Sequence, residues 1–303
     1  MRIVSLLPSA TEIVCAVGAQ DELVGVSHEC DFPELVRGLP VLTGPRVAAP
    51  GTSAAIDRAV RDVLRDALSF YTIDQQKLAA LSPDVIVTQD LCEVCAVSID
   101  DVRSAVARLV RRDGVQIVTL HPTRLRDVWD DVERVGDALG RAPAARHARA
   151  ELERRVREIA ARARTARTFP RVATIEWLEP LMLGGTWMPD LVELAGGEAI
   201  GVEAGAPAPT LKPEELVALA PDVVLVKACG FSLARVLEER AALDYALPAA
   251  LRARARLYAT DGNAFFNRSG PRLVESLEIL AACAHPALFA DFATKHAQVI
   301  RRL

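Results

Sequence analysis

This sequence has few aromatic residues and a small net charge. Phe, Trp and Tyr make up 5% of the 303 residues, and 36 Lys and Arg oppose 40 Asp and Glu, so the formal net charge is −4. A charge this close to zero gives no bulk attraction to nucleic acid. Arginines crowd residues 145–171, but acidic residues at helical spacing accompany them. We interpret this segment as a solvated helix face and expect no nucleic-acid partner.

Long apolar segments are missing as well. No stretch reaches the roughly 18 uninterrupted apolar residues that cross a bilayer, so we expect no direct membrane span. The first residues, MRIVSLLPSATEIV, enter an apolar strand directly, without the basic region, long apolar core and small-residue cleavage site of a signal peptide. We therefore expect a cytoplasmic protein with reduced cysteines. A periplasmic or extracellular protein whose leader had been removed would begin in the same way.

Two pairs of segments in the chain resemble each other. KLAALSPDVIVTQ (77–89) is similar to ELVALAPDVVLVK (215–227), and VCAVGAQDELVGVS (14–27) is similar to VELAGGEAIGVE (192–203). In each pair a helix pattern ends at Pro or Gly and a β-branched strand follows. Leu-x-Pro-Asp-Val could be a generic helix-to-strand junction, but two correspondences in the same order favour a duplication. Continuous apolar strands alternating with helices predict an α/β fold with parallel-rich sheets.

The duplication divides the chain into two similar lobes. We predict an N-terminal α/β lobe over 1–120 with an insertion at 44–74, and a C-terminal α/β lobe over 170–303. A helical connector, 121–169, separates them and contains one long helix within 143–168, where apolar positions recur at helical spacing. In PSATE, Ser9 and Glu12 have the spacing of a capping box, so we predict that a helix begins there, at the end of the first strand.

Candidate ligand-binding residues follow the predicted strands, because open α/β sheets bind ligands outside the carboxyl ends of their strands. The first lobe places there His28, Glu29, Cys30, Phe32, Asp90, Leu91, Cys92 and Cys95. The second lobe places there Trp177, Glu179, Trp187, Cys229, Phe231, Phe265, Phe266 and Arg268. We predict a cleft between the lobes, lined with flat apolar surface and a few polar groups, as small-molecule sites generally are.

The aromatic residues in this set have a structural alternative. Trp177 and Trp187 could each belong to the core of the second lobe. Phe265 and Phe266 are adjacent, so both cannot point inward, and one of them should face the cleft or solvent.

The segments RIVSLLPSATEIVCAVGA, LSPDVIV, VELAGGE and FFNRSGPRLVESLEIL resemble the substrate-binding proteins of cobalamin and iron-chelate ABC importers. Phe265, Phe266, Arg268, Pro271 and Arg272 occupy the places of an aromatic pair, an arginine and the Pro-Arg that opens the last large helix in cobalamin-binding members. The resemblance implies two α/β lobes joined by a long rigid helix, and a binding protein rather than an enzyme. It also implies a corrinoid such as cobalamin, or another metal chelate, as the ligand and an ABC transporter as the partner.

The pair Cys92 and Cys95 suggests a metal. Cys-x-x-Cys lets two thiolates face one ion, and His28, Cys30 and Cys229 are candidates for the remaining ligands. The ion could be zinc, an iron–sulfur cluster or the metal of the chelate. A redox dithiol and unligated thiols lining a pocket are the alternatives. The competing function is a cytosolic metalloprotein, enzymatic or redox, although the sequence has no phosphate loop, zinc-protease helix or nucleophile elbow.

Overall fold

A computed structural model of the chain describes residues 1–46, 51–65, 71–90 and 114–303. The chain forms two compact units. Unit 1 comprises Met1–Pro50, Arg58–Pro122 and Arg126–Glu151, and unit 2 comprises Gly51–Asp57, Thr123–Leu125 and Leu152–Leu303. No helix within the described ranges is both long and apolar enough to cross a membrane.

The described part of unit 1 is built on a parallel sheet with strand order β2-β1-β5-β6. Its strands are β1 (Ile3–Ser5), β2 (Leu23–Val26), β5 (Val85–Gln89) and β6 (Gln116–Leu120). A separate antiparallel pair consists of β3 (Thr43–Pro45) and β4 (Tyr71–Ile73). The helices are α1 (Pro8–Ala16), α3 (Gln75–Leu81) and α4 (Leu125–Ala138), with 3-10 turns at Gln20–Glu22 and Glu34–Gly38.

The first, second and fifth strands of unit 1 are buried along nearly their whole length. Val4 and Ile86 belong to one apolar cluster with Leu6, Leu42 and Leu78. A parallel sheet buried on both faces takes continuous apolar strands rather than alternating ones, as in the sequence VIVTQ.

Helix α1 begins one residue before the predicted capping box. Leu7 is the N-cap and Pro8 stands in the first turn, so Ser9 and Glu12 both lie inside the helix. The capping-box prediction is therefore wrong. Proline favours this earlier start because its φ angle is already helical and its missing N–H would have had no helical partner.

Unit 2 contains a larger mixed sheet. Its described strands run in the order β12-β11-β10-β7-β8, with β9 paired to β7. The bounds are β7 (Arg171–Trp177), β8 (Met182–Leu183), β9 (Glu198–Ala199), β10 (Val223–Val226), β11 (Arg256–Thr260) and β12 (Ile300–Arg302). β7, β10 and β11 are parallel neighbours, whereas β8 and β12 run antiparallel. Their apolar residues form one buried cluster with the surrounding helices.

Helices of unit 2 cover this sheet. They are α6 (Met188–Leu194), α7 (Pro213–Ala218), α8 (Leu233–Glu238), α9 (Arg240–Ala246), α10 (Ala249–Arg252), α11 (Leu273–Ala284) and α12 (Ala290–Lys295). Helix α2 (Ser53–Arg65) starts in unit 2 and continues into unit 1. The long helix expected within 143–168 is α5 (Ala142–Ala163), whose 22 residues pass from unit 1 into unit 2.

Candidate functional site

The carboxyl ends of the four parallel strands described in unit 1 meet at one edge of its sheet. Ser27 and His28 follow β2, Asp90 follows β5 and His121 follows β6. Parallel pairing therefore brings together residues that are far apart in sequence. Leu91, Cys92 and Cys95, which the sequence analysis also places at this edge, lie outside the described residues.

His28 is anchored to the β3–β4 pair. Its backbone N–H donates to Oγ1 of Thr43 over 3.1 Å, and its ring Nδ1 lies 2.8 Å from the same oxygen. The ring meets Tyr71 edge-on, with centroids 4.9 Å apart, and Nε2 lies 3.3 Å from Oε1 of Glu29. Both ring nitrogens thus have polar neighbours within the unit.

Cys30 points into the protein rather than into solvent. Its side chain is buried, and Sγ lies 3.1 Å from Oγ1 of Thr11 and 3.4 Å from Oγ of Ser27. The adjacent Phe32 is 45% exposed. Among the candidate residues that follow β2, Phe32 and Glu29 are more exposed than His28 and Cys30.

Asp90 and His121 form a close polar contact at this edge. Nδ1 of His121 lies 2.6 Å from Oδ1 of Asp90, and both side chains are exposed. A carboxylate accepts, so the Nδ1–H of His121 donates to Asp90; in the neutral form of the ring, the lone pair then lies on Nε2. The sequence analysis included Asp90 but missed His121, although His121 directly follows the apolar strand QIVTL, the same signal that identified the other candidates.

The described residues do not by themselves form a metal site. Across 1–46, 51–65, 71–90 and 114–303, no three His, Cys, Asp or Glu side chains are grouped so that they could hold an ion. Burial, with smaller contributions from Glu12 and Cys30, raises the pKa of Cys15 to about 11, so this thiol is protonated at neutral pH. The predicted site of Cys92, Cys95, His28, Cys30 and Cys229 stays a prediction, because its first two members lie outside the described residues.

In unit 2, Glu176, Lys227 and Asn267 form a polar network at the ends of β7 and β10. Lys227 is 1% exposed, and its Nζ donates to Oε2 of Glu176 over 3.0 Å and to Oδ1 of Asn267 over 2.8 Å. The Asn267 amide donates in turn to the carbonyls of Lys227 and Gly262. A buried ammonium needs a charged partner and further hydrogen bonds. None of these three residues was a sequence candidate, since an isolated lysine after a strand carries no distinctive pattern.

Gly262 lets β11 end close to β10. A Cβ at this position would lie 2.1 Å from the carbonyl oxygen of Ala228 and 2.5 Å from that of Lys227. Only glycine permits this approach, which places the segment from Asn263 to Arg268 beside the polar network.

Trp177 packs on Phe231 at the same edge. Their ring centroids are 5.2 Å apart with an interplanar angle of 58°, and the Arg235 guanidinium lies 4.8 Å from the centre of the Phe231 ring. The indole N–H of Trp177 donates to the carbonyl of Glu179, whose side chain is exposed. Phe231 is buried, whereas Trp177 is half-buried and keeps part of its ring in solvent.

Trp187 and Phe266 are packed inside unit 2. Trp187 is 7% exposed and donates its indole N–H to the Phe266 carbonyl over 2.8 Å, and Phe266 has no exposed surface. This burial favours the alternative in which Trp187 belongs to the core. Phe265, in contrast, is half-buried and lies under the Arg272 guanidinium, 5.7 Å from the ring centre.

The remaining two candidates differ in burial. Arg268 is buried, and its guanidinium lies 3.4 Å from Oδ1 of Asn263. Cys229 is a half-buried free thiol whose backbone N–H donates to the carbonyl of Glu176. Whether any of these residues contacts a ligand stays a prediction.

The chain is similar to known binding proteins. A family model described as periplasmic binding protein matches residues 3–245. The vitamin B12-binding protein of Yersinia pestis (strain Pestoides F) is 24% identical over 237 residues, which cover 74% of this chain and 69% of that protein. These descriptions give no support to the expected cytoplasmic location.

Solved structures share the fold. A periplasmic heme binding protein from Pseudomonas aeruginosa matches with a TM-score of 0.69 at 21% identity, covering 94% of this chain and 93% of its own. The periplasmic vitamin B12 binding protein of Vibrio cholerae matches with a TM-score of 0.64 at 21% identity, covering 94% and 97%. The predicted fold class, α/β with two similar lobes, parallel-rich sheets and one long joining helix, is confirmed.

Proposed function

The chain belongs to the periplasmic binding protein family, and we propose that it binds a metal–tetrapyrrole chelate, a corrinoid such as cobalamin or a porphyrin such as heme. The relatives that support this ligand class are named for vitamin B12 and for heme. Both of these are large, flat rings that carry a metal at the centre.

The main support for the proposal is the half-buried Trp177, which packs on the buried ring of Phe231. Aromatic residues are few in this chain, yet these two meet at the sheet edge where α/β proteins bind ligands, and part of the Trp177 ring remains in solvent. A flat ring gains most from contact with another flat apolar surface, because stacking removes apolar area from water on both partners. The expectation that the ligand lies between the two lobes stays a prediction.

We further propose that the chain delivers its ligand to an ABC transporter, as the substrate-binding component of an importer. That role requires the protein to be outside the cytoplasm. A cytoplasmic location would instead suit storage or sensing of the same ligand. Cell fractionation of the natural host, with an antibody to this chain, distinguishes the two roles.

The ligand is tested by absorbance titration of purified protein with aquocobalamin and with hemin. We expect a saturable difference spectrum at one ligand per chain, weakened in Trp177→Ala. No spectral change with excess ligand, together with stoichiometric zinc or iron and sulfide in the purified protein, would favour the competing metalloprotein. Exposed Phe169 provides the matched control, and Phe169→Ala should bind as the parent chain does.

A further inference from the structure

We propose that His121 is an axial ligand to the metal of the bound chelate and that Asp90 positions it. This inference rests on the proposed function and names the residue that holds the metal. It concerns unit 1 alone, since both residues belong to that unit.

The geometry of the pair is that of a metal-ligating histidine. Such a histidine usually donates its second ring N–H to a carboxylate, which orients the ring and makes the ligating nitrogen more basic. In this structure the Nδ1–H of His121 is held by Oδ1 of Asp90 over 2.6 Å. In the neutral form of the ring the lone pair lies on Nε2, and no described residue bonds to that atom.

The position of the pair suits a bound ligand better than a role in the core. Asp90 directly follows β5 and His121 directly follows β6, and these strands are parallel neighbours paired from Val85↔Gln116 to Gln89↔Leu120. The His121 side chain is 57% exposed, so the ring is accessible to a large chelate. A purely structural ion pair with this exposure would contribute little to stability.

A chelate also accounts for the small number of protein ligands. A free ion needs three or four protein donors, and the described residues provide no such group. A corrin or porphyrin ring already supplies four nitrogen donors in its plane, so the protein has to supply only one donor along the axis. Imidazole nitrogen suits both cobalt and iron in this position.

His28 is the other histidine at this edge, and its geometry differs. Its Nδ1 lies 2.8 Å from a threonine hydroxyl rather than a carboxylate, and its Nε2 lies 3.3 Å from Oε1 of Glu29. Ligation by His28 would require that second contact to break. His121 needs no such rearrangement.

The test uses the full chain and two probes that differ in their axial positions. Diaquocobinamide has exchangeable water on both faces of the corrin, whereas dicyanocobinamide has cyanide on both faces and has no position open to a protein ligand. With diaquocobinamide we expect the parent chain to produce the absorbance shift of a nitrogen-ligated cobalt. His121→Ala should lose that shift, and free imidazole should restore it.

The affinity changes separate ligation from general binding. His121→Ala should bind diaquocobinamide at least about tenfold more weakly, which corresponds to roughly 1.4 kcal/mol, and should bind dicyanocobinamide as the parent chain does. Asp90→Asn should retain the shift with roughly 10- to 100-fold lower affinity, the usual effect of removing such a carboxylate. His147→Ala, at an exposed histidine on α5, is the matched control and should change neither probe.

The possible failures are distinguishable. If both probes bind the parent chain and His121→Ala with the same spectra and affinities, His121 is not a ligand, while the proposed function stands. If neither probe nor hemin binds the parent chain, the proposed function fails, and the axial ligand fails with it. Far-UV circular dichroism of each variant checks that a lost shift does not reflect unfolding.

Discussion

Asp84 and Asp222 make the same two contacts in their respective units. Oδ2 of Asp84 accepts the backbone N–H of Arg2 and its own N–H donates to the Arg2 carbonyl, each over 2.8 Å. Asp222 makes both contacts with Arg171, also over 2.8 Å. Asp84, just before β5, thus bonds to Arg2, just before β1. Asp222, just before β10, bonds in the same way to Arg171, the first residue of β7. The repeated Pro-Asp-Val therefore reflects a repeated structure.

We expect Asp84→Ala and Asp222→Ala to have similar effects. Each variant loses one hydrogen bond that a backbone N–H donates to a carboxylate. A hydrogen bond to a charged group contributes about 1.5–3 kcal/mol to the free energy of unfolding. Urea denaturation measures this cost, with Asp137→Ala, at an exposed helical position, as the control. A large loss in one variant and none in the other would show that the two positions are not equivalent.

Substitution of Trp187 should mainly reduce stability, whereas substitution of Trp177 should mainly reduce ligand binding. Trp187→Ala opens a cavity in a packed unit and removes the hydrogen bond to Phe266, so we expect a loss of about 3–5 kcal/mol. Trp177→Ala removes a half-buried ring, and we expect a smaller stability loss but weaker chelate binding by roughly 1–3 kcal/mol. Thermal melts and absorbance titrations on both variants test this contrast. A stable Trp187→Ala protein with reduced affinity would reverse the assignment.

Glu278 should make the protein sensitive to acid. Burial on α11 by itself raises the pKa of this carboxyl, but hydrogen bonds from His296, Lys295 and Arg155 outweigh burial and lower the pKa to about 2. A lowered pKa in the folded state stabilises the protein above the ordinary glutamate pKa. That stabilisation is lost as the pH falls from about 5 towards 2.

Glu278→Gln removes this source of acid sensitivity. At pH 7 the variant should be less stable than the parent by on the order of 2 kcal/mol, and the difference should shrink between pH 5 and pH 3. Guanidinium denaturation at a series of pH values gives the comparison, with exposed Glu193→Gln as the control. A constant difference at all pH values would mean that protonation of Glu278 is not involved.

Asp131 should have the opposite pH dependence. Burial raises its pKa to about 7 against the attraction of Arg134, and its Oδ2 has no hydrogen-bond partner among the described residues. A raised pKa means that the ionised form is costly in the folded state, so stability falls as the pH rises from about 4 through 7.

Asp131→Asn keeps an oxygen for Arg134 and removes the buried charge. We therefore expect the variant to be more stable than the parent at pH 8 by on the order of 1 kcal/mol or more, with little difference at pH 5. Differential scanning fluorimetry at the two pH values tests this, with Asp137→Asn as the control. A destabilised variant at pH 8 would show that the ion pair with Arg134 outweighs the cost of burial.

Much of the candidate site was predictable because parallel strands have a simple geometric rule. Once the apolar strands were recognised, residues such as His28, Asp90 and Trp177 followed directly at their carboxyl ends. His121 also lies directly after a parallel strand, but it was not among the residues predicted from the sequence. Lys227 and Glu176 could not have been found in this way, because their importance depends on burial and on a partner 51 residues away, neither of which leaves a local pattern.

The α/β class and the long helix were predictable from the sequence alone, and so was the repeated Pro-Asp-Val junction. These depend on local periodicity, on proline and glycine at helix ends and on continuous apolar strands, all of which are visible in short windows. Three features became visible only in the folded protein: α1 begins at Pro8, Trp187 is buried, and His121 contacts Asp90. Those outcomes depend on which side chains meet across the fold, because burial and hydrogen-bond partners are properties of neighbours in space rather than in sequence.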